Sequence, residues 1–265
     1  MQIPYSRWYS AIKHRRSRRQ YDPRRTIPGH ILTELKTVCA EFKPFPHARA
    51  ELITEHCNEV FKGVIGSYGK IKCAQAFIAF IGDSTGNNVQ EAIGYIGEGI
   101  ILEATALNLA TCWVGGFFRP EIVASLVNVG ENEKILAVTP VGYAKEQESL
   151  EEKFMTGFGR THKRKPLSSL VTGLEENEWP EWVRISLEAA RLSPSAVNRQ
   201  PWSFHVEPNA ITVSVRTRGP EFNVSKRLDC GIAMLHIQVA SMNSEISGKW
   251  EFLDSPPVAR FTVLL

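Results

Sequence analysis

The residues with the most chemistry to offer lie between Arg191 and Trp202, which reads R-L-S-P-S-A-V-N-R-Q-P-W. Ser193, Ser195, Asn198 and Gln200 bring donors and acceptors, and Pro194 and Pro201 stiffen the backbone that carries them. Such a lining suits a polar, planar ligand, although the same residues also describe an ordinary helix stop. The densest charge run is His14 to Tyr21, H-R-R-S-R-R-Q-Y, and a second basic group is Lys163-Arg164-Lys165. Taken alone, a charge run equally describes a solvated face or a nucleic-acid patch. A third stretch, Thr111 to Phe118, carries the pair Gly115-Gly116, which alone is also compatible with a tight turn, and Trp113 also suits core packing.

Other chemistries are disfavoured. The seven histidines show no H-E-x-x-H or similar spacing, Ser195 lies outside a G-x-S-x-G setting, and the five cysteines form no C-x-x-C pair. Neither a metal site nor a serine hydrolase is expected, and no side chain stands out as acid, base or nucleophile. A net charge of +3 is too mild to argue for nucleic acid or an anionic membrane. The scattered cysteines, and the absence of both a secretory h-region and a membrane-length apolar run, give the expectation of a cytoplasmic protein.

Positioning these residues requires ordered elements around them. The pattern predicts helices at 5–13, 28–42, 91–109, 121–127, from Trp179 to the opening loop, and at 226–243. It predicts strands at 50–53, 73–82, 134–143, 202–207, 210–216, 249–253 and 259–265. The 91–109 segment is small or apolar on most sides and should be a buried central helix. Residues 146–161 turn polar, and Gly157-Phe158-Gly159 suggests an exposed excursion.

A repeat underlies this order. Gly94 and Gly231, Leu102 and Val239, Leu109 and Ile246, and Trp113 and Trp250 pair at a shared offset of 137 residues. Leu35, Ala40, Pro44 and Arg49 pair with Ile185, Ala190, Pro194 and Arg199 at 150. Two halves, 1–172 and 173–265, are expected. The first keeps the arginine run, the second the serines and asparagine, so one complete site is expected where they meet.

The motifs resemble the FMN-dependent nitroreductase family, and within it the fused two-repeat branch. They are R-R-S-x-R at Arg15 to Arg19, P-S-x-x-N-x-Q-P-W within Ala189 to Trp202, C-W-V-G-G-F at Cys112 to Phe117, V-G-Y at Val141 to Tyr143, and R-x-P-L-x-x-L-V at Arg164 to Val171. The resemblance implies an α+β nitroreductase-like fold, two tandem repeats forming an intramolecular pseudo-dimer. It also implies FMN as cofactor and NAD(P)H as electron donor, with a nitroaromatic, quinone or related small molecule as acceptor. Arg15, Arg16, Ser17 and Arg19 would then hold the phosphate, ribityl chain and pyrimidine edge, and Lys163, Arg164 and Lys165 would add late phosphate contacts. Ser193, Pro194, Ser195 and Asn198 would reach the flavin from the other half, while Trp113, Val114, Gly115 and Gly116 would lie along it, backbone N–H groups toward N5. A non-catalytic flavin store or redox sensor is the alternative; a nucleic-acid surface is weaker, since aromatic interleaving is missing.

Overall fold

The computed structural model describes residues 1–62, 71–145, 163–216 and 224–264. The polar excursion read at 146–161 lies outside them. A four-stranded antiparallel sheet and a five-stranded mixed sheet flank a pair of buried helices. The first half contributes α1 (Tyr5–His14), α2 (Gly29–Glu41), β1 (Ala48–Ile53), α3 (Cys57–Val60), β2 (Ala76–Asp83), α4 (Val89–Ala106), β3 (Ala110–Thr111), α5 (Pro120–Leu126) and β4 (Glu133–Gly142). The second contributes β5 (Val171–Gly173), α6 (Glu181–Arg191), β6 (Trp202–Glu207), β7 (Ala210–Val215), α7 (Lys226–Asn243), β8 (Gly248–Phe252) and β9 (Pro257–Val263).

The strand orders are β1-β2-β4-β3 and β5-β6-β7-β9-β8. Apart from β5 they are the same order, with β6, β7, β9 and β8 standing where β1, β2, β4 and β3 stand, so the duplication read from spacing is also a duplication of topology. The extra strand β5 runs parallel to β6, Val171 opposite Phe204, and a division after residue 172 passes through it.

The two halves meet through α4 and α7. Almost every residue of both helices is buried, as their small and apolar composition requires. Their closest approach is reciprocal. A Cβ built on Gly94 would lie 2.0 Å from the Leu228 carbonyl oxygen, and one on Gly231 would lie 2.1 Å from the Glu91 carbonyl oxygen. Glu91 and Leu228 are themselves 137 residues apart, so each helix presents the same position to the other, the signature of a two-fold arrangement. Trp8, Phe80, Trp202, Phe204 and Phe261 fill the space between helices and sheets, while Phe77 packs in a second cluster with Val60, Phe61 and Val123.

Most predicted elements are present within a few residues. Three differences have local causes. The 111–118 stretch forms only the two residues of β3 and then an isolated bridge between Val114 and Val138, because the glycine pair turns the chain away. The short α3 follows His56, whose φ of 53° breaks the run from β1. β5 is too short to carry a periodicity. Among the described residues no helix is long and apolar enough to cross a membrane.

Candidate functional site

The helix α1 ends at His14, and the chain leaves it extended with Arg15 turned inward. Arg15 is buried, its Nη1 lies 3.5 Å from Ser17 Oγ, and its Nε lies 3.6 Å from Glu98 Oε1 without a hydrogen-bond partner. Burial lowers its pKa, opposed by the charge of Glu98. Arg16 stays at the surface and donates to the Lys13 and Arg15 carbonyls, satisfying the end of α1. Ser17 pairs with Thr111, and Arg19 accepts the Lys72 N–H on its carbonyl.

Glu98, fully buried on α4, is where the motifs converge. Its Oε2 accepts from Trp113 Nε1 at 2.7 Å, and its Oε1 lies 3.0 Å from His236 Nε2 on α7. His236 Nδ1 is 2.8 Å from the carbonyl of Ala189, one turn before the Ser193 loop. One carboxylate thus joins the arginine run, the tryptophan–glycine segment and, through a histidine, the second half. Neither residue was singled out in the sequence. The available signal was a carboxylate between Gly97 and Gly99 in the middle of a mostly apolar helix, since a buried charge requires partners.

Beyond α6 the loop is strained. Val197, Asn198 and Gln200 have φ of 48°, 55° and 46°, left-handed values that are uncommon outside glycine and most unusual for a β-branched residue. Pro201 disfavours a right-handed helical backbone at Gln200, which is left-handed instead and is held by hydrogen bonds at both ends of its side chain. Gln200 Nε2 donates to the Lys163 and Asn198 carbonyls, its Oε1 accepts from Lys165 N–H, and its own N–H donates to Ser195 Oγ. Strain so thoroughly supported is a feature of binding loops.

The basic segment 163–165 is fastened to this loop. Asn198 accepts from Arg164 Nη1 and donates to the Lys163 carbonyl at 3.0 Å, so both ends of its amide hold that segment. Lys165 Nζ is occupied by the Arg199 and Gln200 carbonyls at 2.9 and 3.0 Å. Lys163 remains exposed. Arg164 also donates to the Leu192 carbonyl, and burial together with the charges of Arg15, Arg16 and Arg191 lowers its pKa to about 10. The arginines of the first half and those of the second therefore share one electropositive region.

Ser193 is fully buried and its Oγ has no hydrogen-bond partner; Pro194 beside it is buried too. Trp113 is half-buried, lies over Gly97 and packs against Phe80 with ring centroids 4.8 Å apart and planes tilted by 35°, serving packing as well as the Glu98 hydrogen bond. The Val114 N–H and carbonyl are both bonded to Val138. Gly115 and Gly116 approach Val224 of the second half; a Cβ on Gly115 would lie 2.9 Å from its side chain.

The loop is tied to α7 by Asp229, whose Oδ2 accepts from Arg199 Nε at 2.7 Å and whose Oδ1 accepts from Ala196 N–H at 3.2 Å. Burial pushes this carboxyl up to about 6, against the opposing pull of Arg199. A carboxyl whose folded pKa lies above its unfolded value near 3.9 binds a proton more readily when folded, so its contribution is full below about pH 4 and is lost as pH rises through 6. The stability difference between wild type and Asp229→Asn should therefore shift in favour of wild type as pH falls from about 6 to 4. Urea melts at several pH values check this, and a constant difference would place Asp229 outside the titrating groups.

Residues 7–241 match the family model described as "Putative TM nitroreductase". The fold is similar to that of a "putative nitroreductase" from Thermotoga maritima, with a TM-score of 0.68, 18% identity, and coverage of 97% of this chain and 93% of that one. A nitroreductase family protein from Clostridium difficile gives a TM-score of 0.46 at 22% identity, covering 61% of this chain and 94% of that one. A nitroreductase with bound FMN from Bacteroides fragilis gives 0.42 at 20%, covering 54% and 91%. No curated protein sequence matches the chain. With the family model matched over most of its length, and the expected α+β architecture present in both halves, the chain belongs to this nitroreductase family.

Proposed function

We propose that the protein binds one FMN per chain between its halves and acts as an oxidoreductase, passing electrons from NAD(P)H to nitroaromatic, quinone or related small-molecule acceptors. The reading treats 1–172 and 173–265 as two repeats forming an intramolecular pseudo-dimer, with the boundary inside β5, in a cytoplasmic protein. The carrying observation is that Arg164, fastened to the second-half loop by Asn198 and the Leu192 carbonyl, lies within reach of the charges of Arg15 and Arg16 of the first half and of Arg191 of the second. Like charges are brought together at a cost, and a phosphate dianion between them would offset it. Two buried polar atoms without partners, Arg15 Nε and Ser193 Oγ, fit the same ligand.

Bound flavin supplies the two-electron redox chemistry; the protein binds and orients. Arg15 and Arg164 hold the phosphate, with Arg16, Ser17, Arg19 and Lys163 around it. Lys165 and Asn198 act by fastening the segment that carries Arg164. Ser193, Pro194 and Ser195 line the second-half side, and Trp113, Val114, Gly115 and Gly116 the first.

The duplicated position cannot repeat this. Where the second half has Ser195, the first has Phe45, packed 5.3 Å from Tyr95 and 5.2 Å from Phe252 by ring centroids. Where α4 has Glu98, α7 has Leu235. Flavin released from denatured protein should amount to one equivalent per chain, and two equivalents would remove the split-site reading. Stopped-flow reduction by NADH and by NADPH tests turnover. Tight FMN without reduction by either would favour a flavin store instead.

A further inference from the structure

Within the electropositive region sits a buried carboxylate, Glu98, whose negative charge would oppose an anionic ligand. Its surroundings bear on how that charge is offset. Arg15 faces it from the end of α1 with Cys112 close by, Trp113 from beyond β3, and His236 from α7, while Arg164, flanked by Arg16 and Arg191, acts on it from the 163–165 segment. The histidine is decisive. A carbonyl oxygen only accepts, so the 2.8 Å contact with the Ala189 carbonyl requires a hydrogen on His236 Nδ1. The 3.0 Å contact between Nε2 and Glu98 Oε1 then requires a further proton between them. Oε2 accepts the Trp113 N–H and Oε1 faces the Arg15 guanidinium, so every other neighbour of the carboxylate is a donor and the shared proton is placed on the ring.

We propose that His236 is a positioning residue, doubly protonated against Glu98, so that the pair is neutral and the surrounding arginines remain available to the anionic group of the ligand. This rests on the flavin reading for the identity of the ligand, but the protonation does not. The pair also fixes orientation, since the oxygen held by His236 leaves the other for Trp113.

The test has two parts. In apo protein labelled with nitrogen-15 at histidine, His236 should show both ring nitrogens protonated at neutral pH, and Glu98→Gln should convert Nε2 to an unprotonated, pyridine-like nitrogen. A pyridine-like Nε2 in wild type would overturn the proposal, whether or not flavin binds. The second part measures FMN affinity, with circular dichroism confirming the fold of each variant. His236→Gln, which cannot carry the charge, should weaken FMN about tenfold by exposing the ligand to an uncompensated carboxylate. Adding Glu98→Gln to that variant should restore most of the loss, because the opposing charge is gone. A purely structural role predicts that the double variant binds no better than His236→Gln, and that outcome would also overturn the proposal. If wild type binds no FMN, the functional reading fails while the nitrogen spectra still decide the protonation.

Discussion

Replacing Gly94 or Gly231 with alanine should destabilise the protein by about 3 kcal/mol, the upper part of the range for overpacking a close contact. At either position the new methyl would stand about 2 Å from a carbonyl oxygen of the opposite helix. Backbone cannot swing aside as a flexible side chain can, so α4 and α7 must separate along their whole contact. The better helix propensity of alanine returns roughly 1 kcal/mol, too little to change the sign. For a chain of this size the melting temperature should fall by roughly 6–12 °C. Gly29→Ala serves as control, since a Cβ there meets nothing within 4 Å. The double variant should cost less than the sum, because helices parted by one methyl have already made room for the second. Unchanged melting for either single variant would mean that the helices do not cross at these glycines.

The second large effect concerns the ligand. Arg15→Ala and Arg164→Ala should each weaken FMN by about 1.5–3 kcal/mol, the usual value of a hydrogen bond to a charged group, while riboflavin, which lacks the phosphate, loses much less. Arg15 stands at the end of α1 and Arg164 is fastened to the second-half loop through Asn198, so a shared selective loss would place one phosphate at their junction. Equal losses for FMN and riboflavin would show that neither arginine meets it. Each removal has a side effect, since Arg15→Ala strips a charge from beside Glu98 and Arg164→Ala releases Asn198 and the Leu192 carbonyl, and the riboflavin comparison controls for both.

The sequence revealed the scaffold better than the wiring of the site. Small residues at helical spacing marked α4 and α7 because close packing tolerates little else, and the 137-residue offset that pairs Gly94 with Gly231 reappears as the reciprocal contact. The basic run and the serine loop were visible because both are dense in polar groups. Their roles were less so. Asn198 looked like a ligand residue, yet its amide is engaged by Lys163 and Arg164; Lys165 looked like a phosphate contact, yet its ammonium binds loop carbonyls. Such side chains read the same in sequence whether they face a ligand or another strand of backbone. Glu98 and His236 were hidden for another reason: each is one of several polar residues in a mostly apolar helix, beside Glu91 and Glu103 in α4 and Asp229 and Gln238 in α7, and only the fold shows which of them meet.

The reciprocal crossing of α4 and α7 has a consequence for dilution. When two separate chains build a site across such a crossing, every tenfold fall in protein concentration weakens the assembly by about 1.4 kcal/mol. Here both partners of the crossing belong to one covalent chain, and their effective concentration is fixed by that connection. The crossing, and any ligand held between the halves, should therefore persist at concentrations where a two-chain counterpart would come apart.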